Sequence, residues 1–455
     1  MAEIYQFKGG IHPPDSKDKT AGLPLQRAPL QEQYTVPLLQ HIGAEPTVAV
    51  KKKEQVHKGQ LLAEASGFVS SSIHAPTSGT IKNIGACPTP SGKMTTSIEI
   101  TADGEDEFDS GLVPIENWHE RDPKELIERI ASAGIVGMGG AAFPTHVKLS
   151  PPPTKTIDTL IINGAECEPC LTADHRLMLE ERDKIITGAR LLGQILGIPP
   201  EKGIYLAIED NKPDAISRME EAAEKYGVKL IQVPTNYPQG AEKQLIYAAT
   251  GRQVPSGGLP MDIGCIVQNV ATAKAVTEAV TEGMPLIERP LTITGTPMMR
   301  AGNWHHRIGT TLEQVIRLAG GIKEQPAKLI IGGPMMGIAV SALDIPVVKG
   351  TSGILLQTFD EVSQFTSGPC ISCGRCVDRC PMRIMPGSLS KHIENERFDL
   401  AEQWNVMDCI ECGCCAYVCP TSRPLVQHFK RAKMEITAKR KAAAQKAETG
   451  ESDKK

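Results

Sequence analysis

Two stretches, CISCGRCVDRCP from Cys370 to Pro381 and CIECGCCAYVCP from Cys409 to Pro420, repeat the spacing C-x2-C-x2-C-x3-C-P. Three cysteines in successive x2 steps wrap a backbone around one corner of a [4Fe-4S] cube, and in the two-cluster arrangement the fourth crosses to the other cube. The spacing therefore assigns Cys370, Cys373, Cys376 and Cys419 to one cluster, and Cys409, Cys412, Cys415 and Cys380 to a second. Zinc, the competing use of such thiolates, takes two C-x2-C knuckles separated by a longer loop, without the third x2 step or the C-P ending. Cys414 is surplus to the pattern and is expected as a packed thiol. Between the runs Leu389, Ile393, Leu400 and Trp404 have helical spacing, so the module reads as mostly α-helical.

The chain holds 13 cysteines but opens MAEIYQFKGG, without the apolar core of a signal peptide. A reducing compartment follows, in which thiols bind metals rather than pair as disulfides. Its apolar runs are far shorter than the roughly 20 residues needed to cross a bilayer. The expectation is a cytoplasmic chain, soluble or held peripherally by a partner. A net charge of -4 and an aromatic content of 4% exclude the basic footprint and stacking platforms of a nucleic-acid binder. A length of 455 residues allows several cores, hence several domains.

Residues near 45–100 read as short strands broken by Gly59, Gly67, Pro76 and Gly79, within a module spanning 30–105. Their order resembles a biotinyl/lipoyl-type barrel-sandwich domain. Such domains carry a prosthetic group on a lysine at a hairpin tip, and here the corresponding stretch EASGFVSSSI has none. It is expected to dock or to support, not to swing. A helix then opens at Asp122, with Pro123 at its first position and Glu125 completing a capping box. It ends at Gly134 and runs into GIVGMGGAAFPTHVK, where glycines 134, 137, 139 and 140 let backbone amides approach a ligand and Lys148 stands ready for a phosphate. The run follows a helix, not a strand, so it is no ordinary Rossmann fingerprint; a plain flexible loop is the bland alternative.

Strand-like runs at 159–163, 203–210 and 229–234 alternate with helical patterns at 174–196 and 213–226, which predicts a parallel α/β layer. NGAECEPC lies at the carboxyl end of the first strand, where open α/β sheets bind ligands. Glu166 and Glu168 there are candidate ligand contacts, set against a solvated loop; Cys167 and Cys170 lack a second pair at zinc spacing and read as structural. Residues 287–345 suggest a small β-grasp domain around one helix capped by Thr310 with Glu313 at its third position. His305 and His306 are adjacent, with no third ligand suggested nearby, and read as core or surface histidines. The tail after Pro424 is basic and helix-prone, a candidate contact for an anionic leaflet or acidic partner.

Together FKGGIHPPDSK, GMGGAAFPTHVK, NGAECEPCLTADHR, YPQGAEKQLI, QNVATA and the paired cysteine runs resemble the RnfC family, the C subunits of Rnf electron-transport complexes, in order across residues 7–430. The central part is also similar to the flavin subunit of respiratory NADH dehydrogenase. The resemblance implies an α/β multidomain chain: a barrel-sandwich hybrid at 1–110, an FMN/NAD(H)-binding α/β domain at 111–284, a β-grasp domain at 285–345, a linker at 346–368, a two-cluster ferredoxin-like domain at 369–430 and a basic tail at 431–455. It implies FMN, NAD(H) and two [4Fe-4S] clusters as cofactors. Gly137, Gly139, Gly140 and Lys148 would line the flavin and its phosphate, and Phe143 would lie against the nicotinamide nucleotide. Asn163, Glu166 and Glu168 match residues contacting flavin and dinucleotide, the two glutamates as the catalytic pair. Tyr237, Gly240 and Glu242 match a Tyr-x-x-Gly-Glu-Glu segment, and Gln268 and Asn269 stand for an Asn pair. Met138 replaces an arginine of the glycine loop, Ala241 replaces the first glutamate, and SPPP at 150–153 lacks the second aromatic. Members of such a family are peripheral on the cytoplasmic side of the cell membrane. They exchange electrons with NAD(H) and, indirectly, with ferredoxin, while the other subunits of the complex translocate Na+ or H+. A soluble reductase of the cobalamin-reductase type and a flavin-free electron relay are the competing readings; flavin content and co-purification with membrane proteins separate them.

Overall fold

In the computed structural model, which describes residues 4–362 and 368–448, short strands interrupted by glycine and proline build the N-terminal unit. They are β1 (Leu25–Arg27), β2 (Gln33–Pro37), β3 (Thr47–Val48), β4 (Gln55–Val56), β5 (Leu61–Glu64), β6 (Ile73–His74), β7 (Gly79–Pro88) and β8 (Met94–Ala102). One sheet orders as β2-β8-β7-β4 and a second as β3-β5-β6. Val36, Leu62, Ile73, Ile81 and Ile98 share their core. β1 belongs to another sheet, described below.

The next unit runs α1 (Pro123–Ser132), α2 (Thr145–Lys148), β9 (Thr159–Gly164), α3 (Ala173–Glu180), α4 (Arg182–Ile195), α5 (Pro200–Gly203), β10 (Ile204–Glu209), α6 (Pro213–Lys225), β11 (Lys229–Val233), α7 (Glu242–Thr250), β12 (Cys265–Asn269) and α8 (Val270–Thr281). Asp122 caps α1 by accepting from the Lys124 amide at 2.8 Å. The reciprocal bond expected of Glu125 is not among the cap's contacts; its carboxylate pairs with Arg121 at 3.6 Å. The helix expected over 174–196 is two helices, broken at Glu181, which turns its carboxylate to His305 at 3.3 Å and Lys274 at 3.7 Å. The sheet is all parallel in the order β11-β10-β9-β12. β9 reads TLIING without polar alternation because helices cover both its faces. Leu160 and Ile162 join the core that holds Leu191, Leu192 and Val276, while Ile161 joins Leu245 and Ile246 of α7. The strand order reverses between β9 and β12, and this switch point places Asn163 beside Asn269.

The third unit comprises β13 (Glu288–Gly295), β14 (Gly302–Arg307), α9 (Leu312–Leu318), β15 (Lys328–Ile331), β16 (Ile338–Val340) and β17 (Gly353–Gln357). Its sheet orders as β1-β14-β13-β17-β15-β16. Two expectations change here. The stretch 346–368 is not a linker throughout: β17 lies mid-sheet between β13 and β15 with residues 353–356 buried, and residues 363–367 lie outside the described residues. The cap of α9 is Thr311 with Gln314, one residue beyond the expected Thr310 and Glu313; Thr310 instead donates to the Arg307 carbonyl at 2.7 Å. His305 and His306 are both buried on β14.

The cysteine module is helical, with α10 (Arg375–Asp378), α11 (Pro386–Glu394), α12 (Phe398–Gln403), α13 (Cys414–Tyr417) and α14 (Leu425–Glu448). Leu389 and Ile393 are buried as expected, but Trp404 is 41% exposed, because a break after Glu394 redirects the chain. α14 carries Leu425, Phe429, Ala432 and Ile436 into the module's core, so the tail expected from 431 begins inside the domain. Among the described residues no helix is long and apolar enough to cross a membrane.

α4 and α8 cross closely enough that a Cβ on Gly188 would sit 2.0 Å from the Ala273 carbonyl oxygen. Gly188→Ala is expected to lower unfolding free energy by about 2 kcal/mol through overpacking; urea melts of wild type and variant check this.

Candidate functional site

The site begins at the switch point. Asn163 donates from Nδ2 to the Gly240 carbonyl at 2.8 Å, and its Oδ1 accepts from the Ala165 amide. Asn269 caps α8 by accepting from the Ala271 amide at 2.8 Å, while its Nδ2 donates to Asp174 at 2.6 Å. The glycine loop folds over this helix start: Met138 donates its amide to Thr272 Oγ1 at 2.9 Å, and Gly137 donates to the Phe143 carbonyl at 2.8 Å. A helix N-terminus under a glycine-rich crest is an environment for an anionic phosphate. Lys148 reaches Glu242 at 2.6 Å and the Val267 carbonyl at 3.1 Å. Gln268 is buried with its Nε2 unpartnered, a donor turned to no protein acceptor. The expected residues Gly139, Asn163, Lys148, Gly240, Glu242, Gln268 and Asn269 thus gather around the ends of β9 and β12, and their donor set fits a flavin nucleotide.

The two glutamates divide their work. Glu166, in the left-handed region at φ 46°, accepts from the amides of Asp174 at 2.7 Å and His175 at 3.1 Å, closing the start of α3. Glu168 turns the other way, accepting from Met335 at 3.2 Å and Met336 at 2.8 Å, with the Tyr237 hydroxyl at 3.4 Å. Burial pushes the Glu168 carboxyl up to about 7, against the pull of those two amides and the hydroxyl. Asp174, which the sequence motifs do not single out, is likewise pushed upward by burial and by Glu166. Nor do they single out Arg289, fully buried behind the glycine loop. It donates to the Lys349 carbonyl at 2.6 Å and reaches the Met138 carbonyl at 3.5 Å, so a guanidinium from β13 stands behind the residue that replaces the loop arginine. Lys17 donates to the Glu166 and Leu171 carbonyls at 2.7 and 2.6 Å, and burial lowers its pKa. No spacing rule finds such a partner 149 residues away.

The two cysteine runs fold alike. Ser372 and Glu411, Gly374 and Gly413, and Arg383 and Ser422 occupy matching positions, and all six have positive φ. Such turns point amides inward; Glu411 donates its amide to Cys409 Sγ at 3.3 Å. Cys380 lines one apolar pocket with Cys409, Cys412 and Cys415. The thiols of Cys376 and Cys370 converge on Gly387, 3.5 and 3.9 Å from where a Cβ would stand. The first gathering holds the four cysteines assigned to one cube, the crossing cysteine among them, and the second brings together two of the other four. Cys414 is fully buried and donates to the Tyr237 carbonyl at 3.7 Å, a packed thiol.

The seam between the two halves is made by Tyr237, whose hydroxyl donates to the Cys412 carbonyl at 2.8 Å. The chain's start threads this seam: Gly10 donates to the Arg379 carbonyl at 3.1 Å, and Ile11 exchanges both backbone bonds with Tyr237.

Comparison with known proteins matches each unit. The RnfC barrel sandwich hybrid domain matches residues 5–105, the Nuo51 FMN-binding domain 130–278, the SLBB domain 290–339 and the 4Fe-4S dicluster domain 364–420. A similar protein is the C subunit of the proton-translocating ferredoxin:NAD(+) oxidoreductase complex of Clostridium ljungdahlii, 50% identical over 387 residues, 85% of this chain and 84% of that one. The chain belongs to the RnfC family. A second relative in that family is the C subunit of the Na(+)-translocating ferredoxin:NAD(+) oxidoreductase complex of Acetobacterium woodii, 44% identical over 436 residues, 96% of this chain and 98% of that one. An NAD+-reducing [NiFe]-hydrogenase in the H2-reduced state shares the fold, with a TM-score of 0.50 and 19% identity over 75% of this chain and 70% of its own. This member of the RnfC family thus carries an FMN-binding domain and a dicluster iron-sulfur domain.

Because the folded carboxyl of Glu168 titrates above its ordinary 4.5, the stability it contributes is full below pH 4.5 and lost as pH rises through about 7. Glu168→Gln should therefore gain on wild type by at most about 1.4 kcal/mol per pH unit across that window and no further above it. Melts at a series of pH values measure it.

Proposed function

We propose that this chain is the NAD(H)-facing electron-transfer component of a membrane-bound ferredoxin:NAD+ oxidoreductase complex, held peripherally on the cytoplasmic side while partner subunits move Na+ or H+. The observation that carries the reading is the Tyr237 hydroxyl, 2.8 Å from the carbonyl of Cys412 and 3.4 Å from Glu168. It sets the nucleotide end of the α/β domain directly against the second set of cysteines. FMN, when bound, supplies the exchange between two-electron hydride chemistry and one-electron carriers.

The chain's own residues supply place and charge. The exposed amides of Gly139 and Gly140, on a turn that Gly137 and Met138 brace, hold phosphate with Lys148; Asn163, Gln268 and Asn269 offer side-chain hydrogen bonds at the ring end. Glu166, by closing the start of α3, and Glu168, by holding Tyr237 and the Met335–Met336 turn, position the dinucleotide site, and Phe143 packs beside it. Cys409, Cys412, Cys415 and Cys380 hold the cluster nearer the flavin domain, and Cys370, Cys373, Cys376 and Cys419 the farther one, where Cys373 is exposed.

An anaerobic NADH titration of the FMN-loaded, iron-reconstituted chain is expected to bleach flavin absorbance and then raise reduced-cluster EPR signals; Glu168→Ala should lose the bleaching while dithionite still reduces both clusters. Flavin that stays oxidised in the wild type sinks the reading and leaves a relay.

The crossing assignment has its own test. Cys380→Ala and Cys409→Ala should remove the same EPR signal and cut iron from about eight to about four per chain, whereas Cys419→Ala removes the other signal.

A further inference from the structure

The hairpin between β5 and β6 lacks the lysine of a swinging arm and presents Phe68 instead, 63% exposed. Its tip is fixed against the flavin domain. The Phe68 carbonyl accepts from His146 Nε2 at 3.0 Å, and its ring meets that imidazole edge-on with centroids 6.2 Å apart. Beside it Ile42 donates its amide to the Ala142 carbonyl at 3.4 Å, and Ala44 donates to the Val69 carbonyl at 2.9 Å. Phe68 therefore stands at the flank of the glycine loop with an open face.

The loop's crest, residues 139–141, is exposed, and a Cβ at Gly140 would meet nothing within 4 Å. A dinucleotide reaches well beyond the ring that exchanges hydride, and the exposed crest leaves open space for its adenine on this side. Adenine is held by aromatic faces. The turn after α2, residues 149–153, contains no aromatic residue, and in a chain with 4% aromatics an exposed ring at this place is a scarce feature.

We propose that Phe68 is the stacking platform for the adenine of NAD(H), lent to the α/β domain by the N-terminal barrel. The proposal rests on the NAD(H) reading above. The barrel hairpin thereby becomes part of the nucleotide site.

The test uses the full-length holoprotein and ADP-ribose, which has the adenine but no nicotinamide, with calorimetry as the readout. Phe68→Ala should raise the Kd for ADP-ribose about tenfold, and Phe68→Trp should keep it near wild type. Affinity for reduced nicotinamide mononucleotide, which has no adenine, should be the same in all three proteins, as should FMN content. Equal ADP-ribose affinity in wild type and Phe68→Ala overturns the proposal, and so does an equal loss for both ligands, which marks a structural role. A wild type that oxidises NADH yet fails these comparisons loses only the Phe68 assignment. A wild type that binds neither ADP-ribose nor NADH overturns the NAD(H) reading together with it.

Discussion

The phenol of Tyr237 has one proton and faces two acceptors, the Cys412 carbonyl at 2.8 Å and the Glu168 carboxylate at 3.4 Å, so the nearer carbonyl takes the stronger bond. Burial drives the phenol's pKa far upward, so the group stays a donor across the physiological range. Around this bond the flavin domain and cysteine module close: Gln244 reaches the Pro381 carbonyl at 3.4 Å, and Asp408 accepts from the Gly257 amide at 3.1 Å. The residues of the seam are apolar where they touch, with Ile11, Tyr237, Cys412 and Cys414 sharing one cluster. Directed polar bonds set into an apolar seam fix orientation where packing alone would permit sliding.

The glycine loop owes its shape to neighbours from every unit of the upper half. The Lys349 ammonium, from the segment leading into β17, donates to the carbonyls of Ser72 in the barrel and Gly134 before the loop at 2.6 and 2.7 Å, and burial lowers its pKa to about 7. Arg289 supports the loop from β13, Thr272 from α8 and Ile42 from the barrel. A loop braced on four sides presents its amides without reordering when an anion arrives, which is what a preorganised site requires.

The dicluster domain was legible in the sequence because cysteine spacing is local: the x2 and x3 steps are set by the size of a cube, whatever surrounds them. The parallel strands were legible for the same reason, since apolar runs such as TLII are written in consecutive residues. Caps one residue out of place, at Thr311 rather than Thr310, show the limit of that reading, because neighbouring threonines satisfy the same pattern and only the fold, which turns Thr310 back to the Arg307 carbonyl, chooses between them. Lys17 and Asp174 stand inside the family motifs and Arg289 outside them, but none is marked for a role by its sequence, because the Lys17 bond to the Glu166 carbonyl, the Asn269 bond to Asp174 and the Arg289 bond to the Lys349 carbonyl each join residues far apart in the chain. β17 was hidden inside an apparent linker: a five-residue strand between turns carries no periodic signal until the strands on either side of it are in place.

β1 pairs in parallel with β14, joining Leu25–Arg27 to Asn303–His305. During synthesis this edge waits for nearly 280 residues before its partner exists, and the sheet is complete only once β17 has been made. The α/β domain, whose four strands all lie between residues 159 and 269, can close earlier. Residues 11–17 need not wait for β14, because Ile11 pairs with Tyr237 and Lys17 reaches the Glu166 and Leu171 carbonyls, all within that domain; the cysteine module, made last, then meets a strap whose partners already exist.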